Sequence, residues 1–185
     1  MDVAADLFAA RGFHRVTVDE LGAALGVSGP ALYHHFASKE ALLGDMLVSI
    51  SEQLLAGGQT RVEHAANADE ALVALLRGHI HFALHRTSLI TVHFRDVVHA
   101  PEASRQRMRV LQSQYVEVWV GVLARLHPAL DPREARAAVH AVFGLLNSTP
   151  HSLRVSRAAM SRLLLEMALA SFAAVGDAAS RREAG

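Results

Sequence analysis

The sequence predicts an all-α fold, and three observations carry that reading. Apolar residues recur at helical spacing almost from end to end. Ala, Leu, Arg and Glu are abundant, whereas Pro occurs only five times and β-branched residues form few runs. The periodic segments are separated by helix punctuation, with a capping Ser or Thr at the start and a Gly or Pro at the end.

Val3, Leu7, Phe8 and Ala10 form the first stripe, which stops at Gly12, a suitable C-terminal cap. "TVDE" at 17–20 has the form of a capping box, in which Thr17 accepts from the backbone N–H of Glu20 while Glu20 reaches back. The helix it opens carries Leu21 and Leu25 and closes at Gly26. Ser28 caps the next helix, with Gly29 and Pro30 in a first turn whose N–H groups have no intrahelical acceptor, so Pro costs little there. Ser38 opens a longer helix through "KEALLGDMLVSISEQLLAG", which the pattern ends near Gly57 and Gly58. Five further helices are expected at 69–86, 88–98, 102–126, 131–147 and 156–175, punctuated by Pro101, "HPALDP" and "NSTPHS". The polar tail "GDAASRREAG" is expected to fray. Helices 131–147 and 156–175 are apolar over more than one face. That pattern suits either a position central to the core or a second face buried by a partner.

Bulk composition excludes several classes. A chain of 185 residues holds one ordinary domain, or a small one fused to a larger one. No run of eighteen apolar residues marks a membrane span, and "MDVAADLFAA" lacks the basic start and apolar stretch of a secretory signal. With no Cys, disulfides, thiolate metal sites and cysteine nucleophiles are excluded, and the chain reads as cytoplasmic. Lys plus Arg balances Asp plus Glu, 18 against 18, so net charge names no partner; Lys39 is the sole lysine. Gly-rich phosphate loops, nucleophile elbows and zinc-protease motifs are absent, which argues against an enzyme.

The stretch "GVSGPALYHHFASKEALL" at 26–43 carries the chemistry. Two short helices joined by a Gly-containing turn make a helix-turn-helix. Leu21, Leu25, Val27, Leu32 and Phe36 fall where the pair packs, and Gly22 falls at the crossing. Gly29, Pro30, Tyr33 and His34 are left facing outward. A Tyr and a His exposed on so short a helix suit entry into a DNA major groove, where hydroxyls and N-terminal amides hold phosphates. The same spacing also suits a helix corner with both side chains merely solvated.

"TVDELGAALGVSGPALYHHFASKEALL", with "FAARGF" before it, resembles the DNA-binding domain of the TetR family of bacterial regulators. The capped Thr, the Gly-Val-Ser turn, Leu-Tyr-x-His-Phe and Ser-Lys-Glu-Ala-Leu occur in order. The resemblance implies an N-terminal three-helix helix-turn-helix domain over 1–46 and a C-terminal helical ligand-binding and dimerisation domain over 47–185. It implies a homodimer through 131–147 and 156–175, double-stranded operator DNA as a partner and a small-molecule effector. Thr17 would contact phosphate, Ser28, Gly29, Pro30 and Ala31 would lie at the groove edge, Tyr33 would bond a phosphate, and His34 would approach phosphate or base. Lys39 would hold the backbone on the far side; a cation at a helix start opposes the helix dipole, so local stability does not explain it. Residues 1–46 depart from the pattern in lacking a basic arm, with Arg11, Arg15 and Lys39 set against six acids.

For the effector, Met108, Leu111, Tyr115, Val118, Trp119 and Val122 make an apolar stripe that would serve equally as core. Tyr115 and Trp119 are its best pocket members, each with a polar handle on a large apolar face. His93 and Phe94 could face the same space, and Arg86 or Arg95 could meet an acidic group. "FGLLNSTPHS", which contains Asn147, resembles the corresponding part of family members that sense fatty-acyl or other lipid-like effectors. His81 and His85 stand at a chelating i, i+4 spacing, but a third ligand such as Asp96 or His140 is not fixed, so no metal site and no cofactor is assigned. The rival reading is a helical interaction protein whose DNA-binding half no longer functions.

Overall fold

The computed structural model describes residues 1–183, leaving aside the side chains of Gly29, Pro30 and Tyr33. Its helices are α1 (Asp2–Arg11), α2 (Val18–Leu25), α3 (Gly29–His35), α4 (Lys39–Glu63), α5 (Ala68–His85), α6 (Thr87–Asp96), α7 (Glu102–Leu126), α8 (Pro132–Leu146), α9 (Thr149–Ser152) and α10 (Arg157–Glu183). Two single 3-10 turns, Phe13–Arg15 and Val97–His99, follow α1 and α6. The all-α class holds, with no strand among the described residues.

The caps act as the residue types dictate. Thr17 and Glu20 form the reciprocal capping box of α2, which ends at Gly26 in the left-handed region (φ 75°). Ser28 Oγ accepts from the Ala31 amide, and Ser38 Oγ from the Ala41 amide. Asn67 Oδ1 accepts from the Glu70 amide while Glu70 accepts from that of Ala66, so α5 also starts on a reciprocal cap.

Two expectations fail for packing reasons. Helix α4 does not end at Gly57 and Gly58 but continues to Glu63. A Cβ on Gly58 would stand 2.6 Å from the ring of Tyr115, so this glycine allows a close approach rather than stopping a helix. From 176 to 183 the C-terminal segment does not fray; Ala184 and Gly185 lie outside the described residues. Helix α10 runs to Glu183, with Gly176 and Ala179 buried, Gly176 against His127. "NSTPHS" separates α8 from α10 as expected and holds the one-turn α9, fixed by a buried hydrogen bond from Thr149 Oγ1 to Ala83 O (2.7 Å).

The chain divides into two compact units. The first comprises Met1–Glu52 and Arg86–Leu111, so it includes α6 as well as the N-terminal helices. Ala4, Ala5 and Phe8 of α1 are buried in it, with Leu89, Ile90 and Val92 of α6 and Leu42, Leu43 and Met46 of α4. The second comprises Gln53–His85 and Gln112–Gly185, where α10 packs on α5 and α8. Leu76, Ile80, Trp119, Val139, Leu164 and Phe172 make up much of its core. By length and composition α10 would also pass for a membrane span, although its sequence holds no unbroken apolar run of that length. Its outer face keeps Leu163 and Met167 exposed, at 47% and 44%.

Candidate nucleic-acid interface and effector site

In the first unit, α2 and α3 pack through Leu21 and Leu32, both buried, with Gly22 buried at the crossing. Leu25 and Phe36 are only half-buried, and Val27, expected inside, is 39% exposed because it sits in the turn itself. The Val27 amide donates to Gly22 O, closing α2 and setting the angle at which α3 leaves. Ser28 and His34 are exposed and Ala31 is half-buried. Gly29, Pro30 and Tyr33 lie in α3 by backbone, but their side chains fall outside the described residues.

The charges of this unit are largely committed to each other. Glu20 accepts from the Thr17 amide and from Arg11 Nη1 at 2.7 Å. The Thr17 backbone bond, then Arg11 and the Thr17 hydroxyl, hold its carboxyl far below the usual range, at about 2. Lys39 Nζ donates to Phe13 O and Val16 O, each at 2.9 Å, and stands 4.4 Å above the Phe13 ring. A long-range contact thus supplies the structural reason for a cation at the start of α4: the ammonium satisfies carbonyls around the 3-10 turn and keeps a third N–H for another acceptor. Arg15 is exposed and has no acidic partner among the described residues.

Candidates Arg86, His93 and Phe94 also belong to the first unit. Arg86 pairs with Asp2 at 3.1 Å, Phe94 is 69% exposed, and burial lowers the pKa of His93. Arg95 is bound to Asp96 through both of that residue's carboxylate oxygens, which removes Asp96 as a metal ligand.

The second unit brings together Tyr115, Trp119 and Asn147, around a residue that the sequence pattern did not single out. His79 is buried and lies parallel to the rings of Phe143 (centroids 4.6 Å apart) and Tyr115 (5.9 Å), and edge-on to Trp119. Its Nδ1 is 3.3 Å from Tyr115 Oη and its Nε2 is 3.1 Å from Asn147 Oδ1. Burial lowers its pKa from 6.5 to about 4, against the opposing pull of Asn147, so the ring is neutral near pH 7. Burial likewise raises Tyr115 to about 12, against weaker pulls from Trp119 and Arg61. A signal for His79 was present: Leu72, Leu75, Leu76, Ile80 and Ala83 surround it at helical spacing on α5, which places it on the buried stripe.

His81 and His85 are exposed, with their rings stacked 4.2 Å apart and His85 Nδ1 turned onto His81 O. Beside them an open groove of about 620 Å³ is lined by Arg61, Asp69, Glu70, Val73, Ala74, Arg77, Gly78 and His81. No group of three His, Asp or Glu suited to a metal ion occurs among the described residues.

Residues 1–46 match the family profile described as bacterial regulatory proteins, tetR family, and residues 65–151 match a tetracyclin repressor-like C-terminal domain. The HTH-type transcriptional repressor KstR2 of Rhodococcus jostii (strain RHA1) is 29% identical over 124 residues, which is 66% of this chain and 61% of the relative's own length. The TetR family regulator PfmR from Thermus thermophilus superposes with a TM-score of 0.77 at 25% identity, covering 91% of this chain and 95% of its own. FadR from Bacillus subtilis, solved in complex with stearoyl-CoA, shares the fold with a TM-score of 0.73 at 20% identity, over 92% and 96% of the two chains.

Proposed function

The chain belongs to the TetR family of bacterial regulatory proteins, and from that premise we propose that it is a homodimeric, operator-binding transcriptional regulator of the cytoplasm. It acts as a repressor and leaves a near-palindromic site when a small apolar effector binds. Residues 1–46 read DNA and residues 47–185 hold the effector and the dimer interface. The observation that carries the DNA reading is the capped α2–α3 pair, with its Gly26 turn and the exposed Ser28 and His34 at the start and outer face of α3. Thr17, Ser28, Gly29, Pro30, Ala31, Tyr33, His34 and the remaining N–H of Lys39 are the DNA contacts.

The effector lies among Tyr115, Trp119 and Asn147, with His79 as a fourth member. FadR, similar in fold, is solved with stearoyl-CoA, which supports an acyl or lipid-like class. Differential affinity of that ligand for two arrangements of the dimer is all that release requires.

One observation favours the rival, a helical interaction module: two of the three bases in 1–46 are committed internally. Fluorescence anisotropy on DNA selected from a random pool decides between them. A regulator enriches a near-palindrome, weakens on His34→Ala and Tyr33→Phe, and loses affinity steeply with salt through counterion release. An interaction module enriches nothing.

A further inference from the structure

Donors and acceptors around His79 match except at one atom. Asn147 Oδ1 can only accept, so His79 Nε2 carries the imidazole proton. The ring is neutral, which leaves Nδ1 as an acceptor, and the Tyr115 hydroxyl donates to it. Trp119 Nε1–H remains. Trp119 is fully buried, yet its indole nitrogen has no hydrogen-bond partner. The indole stands perpendicular to the phenol of Tyr115, near enough to favour its charged form but outside hydrogen-bonding geometry. Buried polar groups nearly always have a partner, because one left unpaired costs its full desolvation.

The surroundings restrict what acceptor could satisfy it. The rings of Phe143, Tyr115, His79 and Phe172 pack around the Trp119 indole, so whatever reaches its Nε1 must pass apolar surface. Neither His79 nor Tyr115 is ionised near pH 7. Arg61, the cation acting on Tyr115, is itself exposed and lies over the bare backbone of Gly78. A buried carboxylate would therefore give up its hydration with little compensation. Phe82, Phe143 and Asn147 are only half-buried, so the cluster is not sealed on that side.

Resting on the reading that the effector binds in the second unit, we propose that Trp119 Nε1–H is the recognition donor for an uncharged carbonyl oxygen. The effector is then an apolar ketone, ester or thioester, and not a free carboxylic acid. Trp119 is the only tryptophan, so its indole N–H gives a single resonance in a nitrogen-labelled sample of the full chain.

The test titrates DNA-free protein with three probes of equal carbon number: methyl hexyl ketone, octane and octanoate. The ketone is expected to move the indole proton downfield and to bind about tenfold more tightly than octane, the worth of one buried hydrogen bond. Octanoate is expected to bind no better than octane. Trp119→Phe keeps an aromatic ring and removes the N–H; calorimetry should then show the preference for ketone over octane abolished, whatever the variant does to octane itself. Equal binding of ketone and octane to the wild type, or a preference for octanoate, overturns the carbonyl assignment and leaves an effector site in place. If none of the three binds while operator DNA still does, the assignment falls and the DNA-binding reading stands. If the ketone preference appears without any DNA binding, the reverse holds.

Discussion

The guanidinium of Arg95 closes the C-terminal end of α1, donating from Nη1 to Ala9 O at 3.0 Å and from Nη2 to Phe8 O. Ala9 O is among the carbonyls a helix leaves without an internal donor, whereas Phe8 O also accepts from the Gly12 amide. The buried carboxylate of Asp96 orients the guanidinium, which in turn is held more firmly protonated than usual, chiefly by that hydrogen bond. Arg95→Ala is expected to lower stability by roughly 1–3 kcal/mol, because Asp96 is left buried and unpaired. The double variant Arg95→Met, Asp96→Leu should lose less than the sum of the two single changes. Urea denaturation of the four proteins measures that coupling.

His79 makes stability depend on pH. Its folded pKa, about 4, lies below its ordinary 6.5, so the unfolded chain binds the proton more readily. Stability is complete above 6.5 and is lost as pH falls towards 4, by about 3 kcal/mol in total. His93, also lowered by burial, adds to the same slope. Carboxylates such as Glu20 contribute only below their ordinary 4.5, at lower pH. Denaturation midpoints across this range should therefore fall with pH in the wild type and fall less in His79→Phe.

Neighbouring glycines in α4 should respond with opposite signs. Alanine in a helix interior normally gains about 1 kcal/mol over glycine. At Gly57 the added Cβ meets only the end of the flexible Arg61 side chain, so Gly57→Ala should be neutral or stabilising. At Gly58 it meets the Tyr115 ring, and Gly58→Ala should destabilise by about 1–3 kcal/mol. Thermal unfolding of the two variants compares them directly, and Tyr115→Leu should relieve the second.

Lys39 separates scaffold from DNA contact. Lys39→Ala deprives Phe13 O and Val16 O of their donor, and destabilisation of about 1–2 kcal/mol is expected. If its third N–H also meets a phosphate, the salt slope of DNA binding falls by about 1. A variant with lower stability and an unchanged slope would place Lys39 wholly in the scaffold.

The exposed face of α10 tests the assembly. Leu163→Glu with Met167→Glu replaces the two large apolar side chains that α10 leaves exposed with charges. In ultracentrifugation a dimer through α8 and α10 should become a monomer, and operator affinity should collapse with it. Unchanged mass would mean that subunits meet elsewhere.

What can be read from sequence divides by physical range. Caps are local, so Thr17, Ser28 and Ser38 announce the starts of their helices, and Gly26 the end of one. Glycines are ambiguous because two causes produce them: Gly26 is needed for its left-handed backbone, Gly58 for a ring that comes from residue 115. Tyr115, Trp119 and Asn147 are legible from residue type and resemblance. His79 is not, because an imidazole on an apolar stripe has meaning only once Asn147, far along the chain, is seen to meet it. Lys39 is explained by a contact from outside its own helix, which the sequence could not show: its acceptors lie more than twenty residues earlier.

A chain with one lysine has only two primary amines, that of Lys39 and the N-terminus. The ammonium of Lys39 is half-buried, bonded to two carbonyls and covered by the Phe13 ring. An amine-directed acylating reagent must pull it from all three before it can react. The relative labelling of the two amines, read by mass spectrometry, thus becomes a chemical gauge of how often the turn between α1 and α2 comes open, and whether operator DNA or an effector changes that frequency.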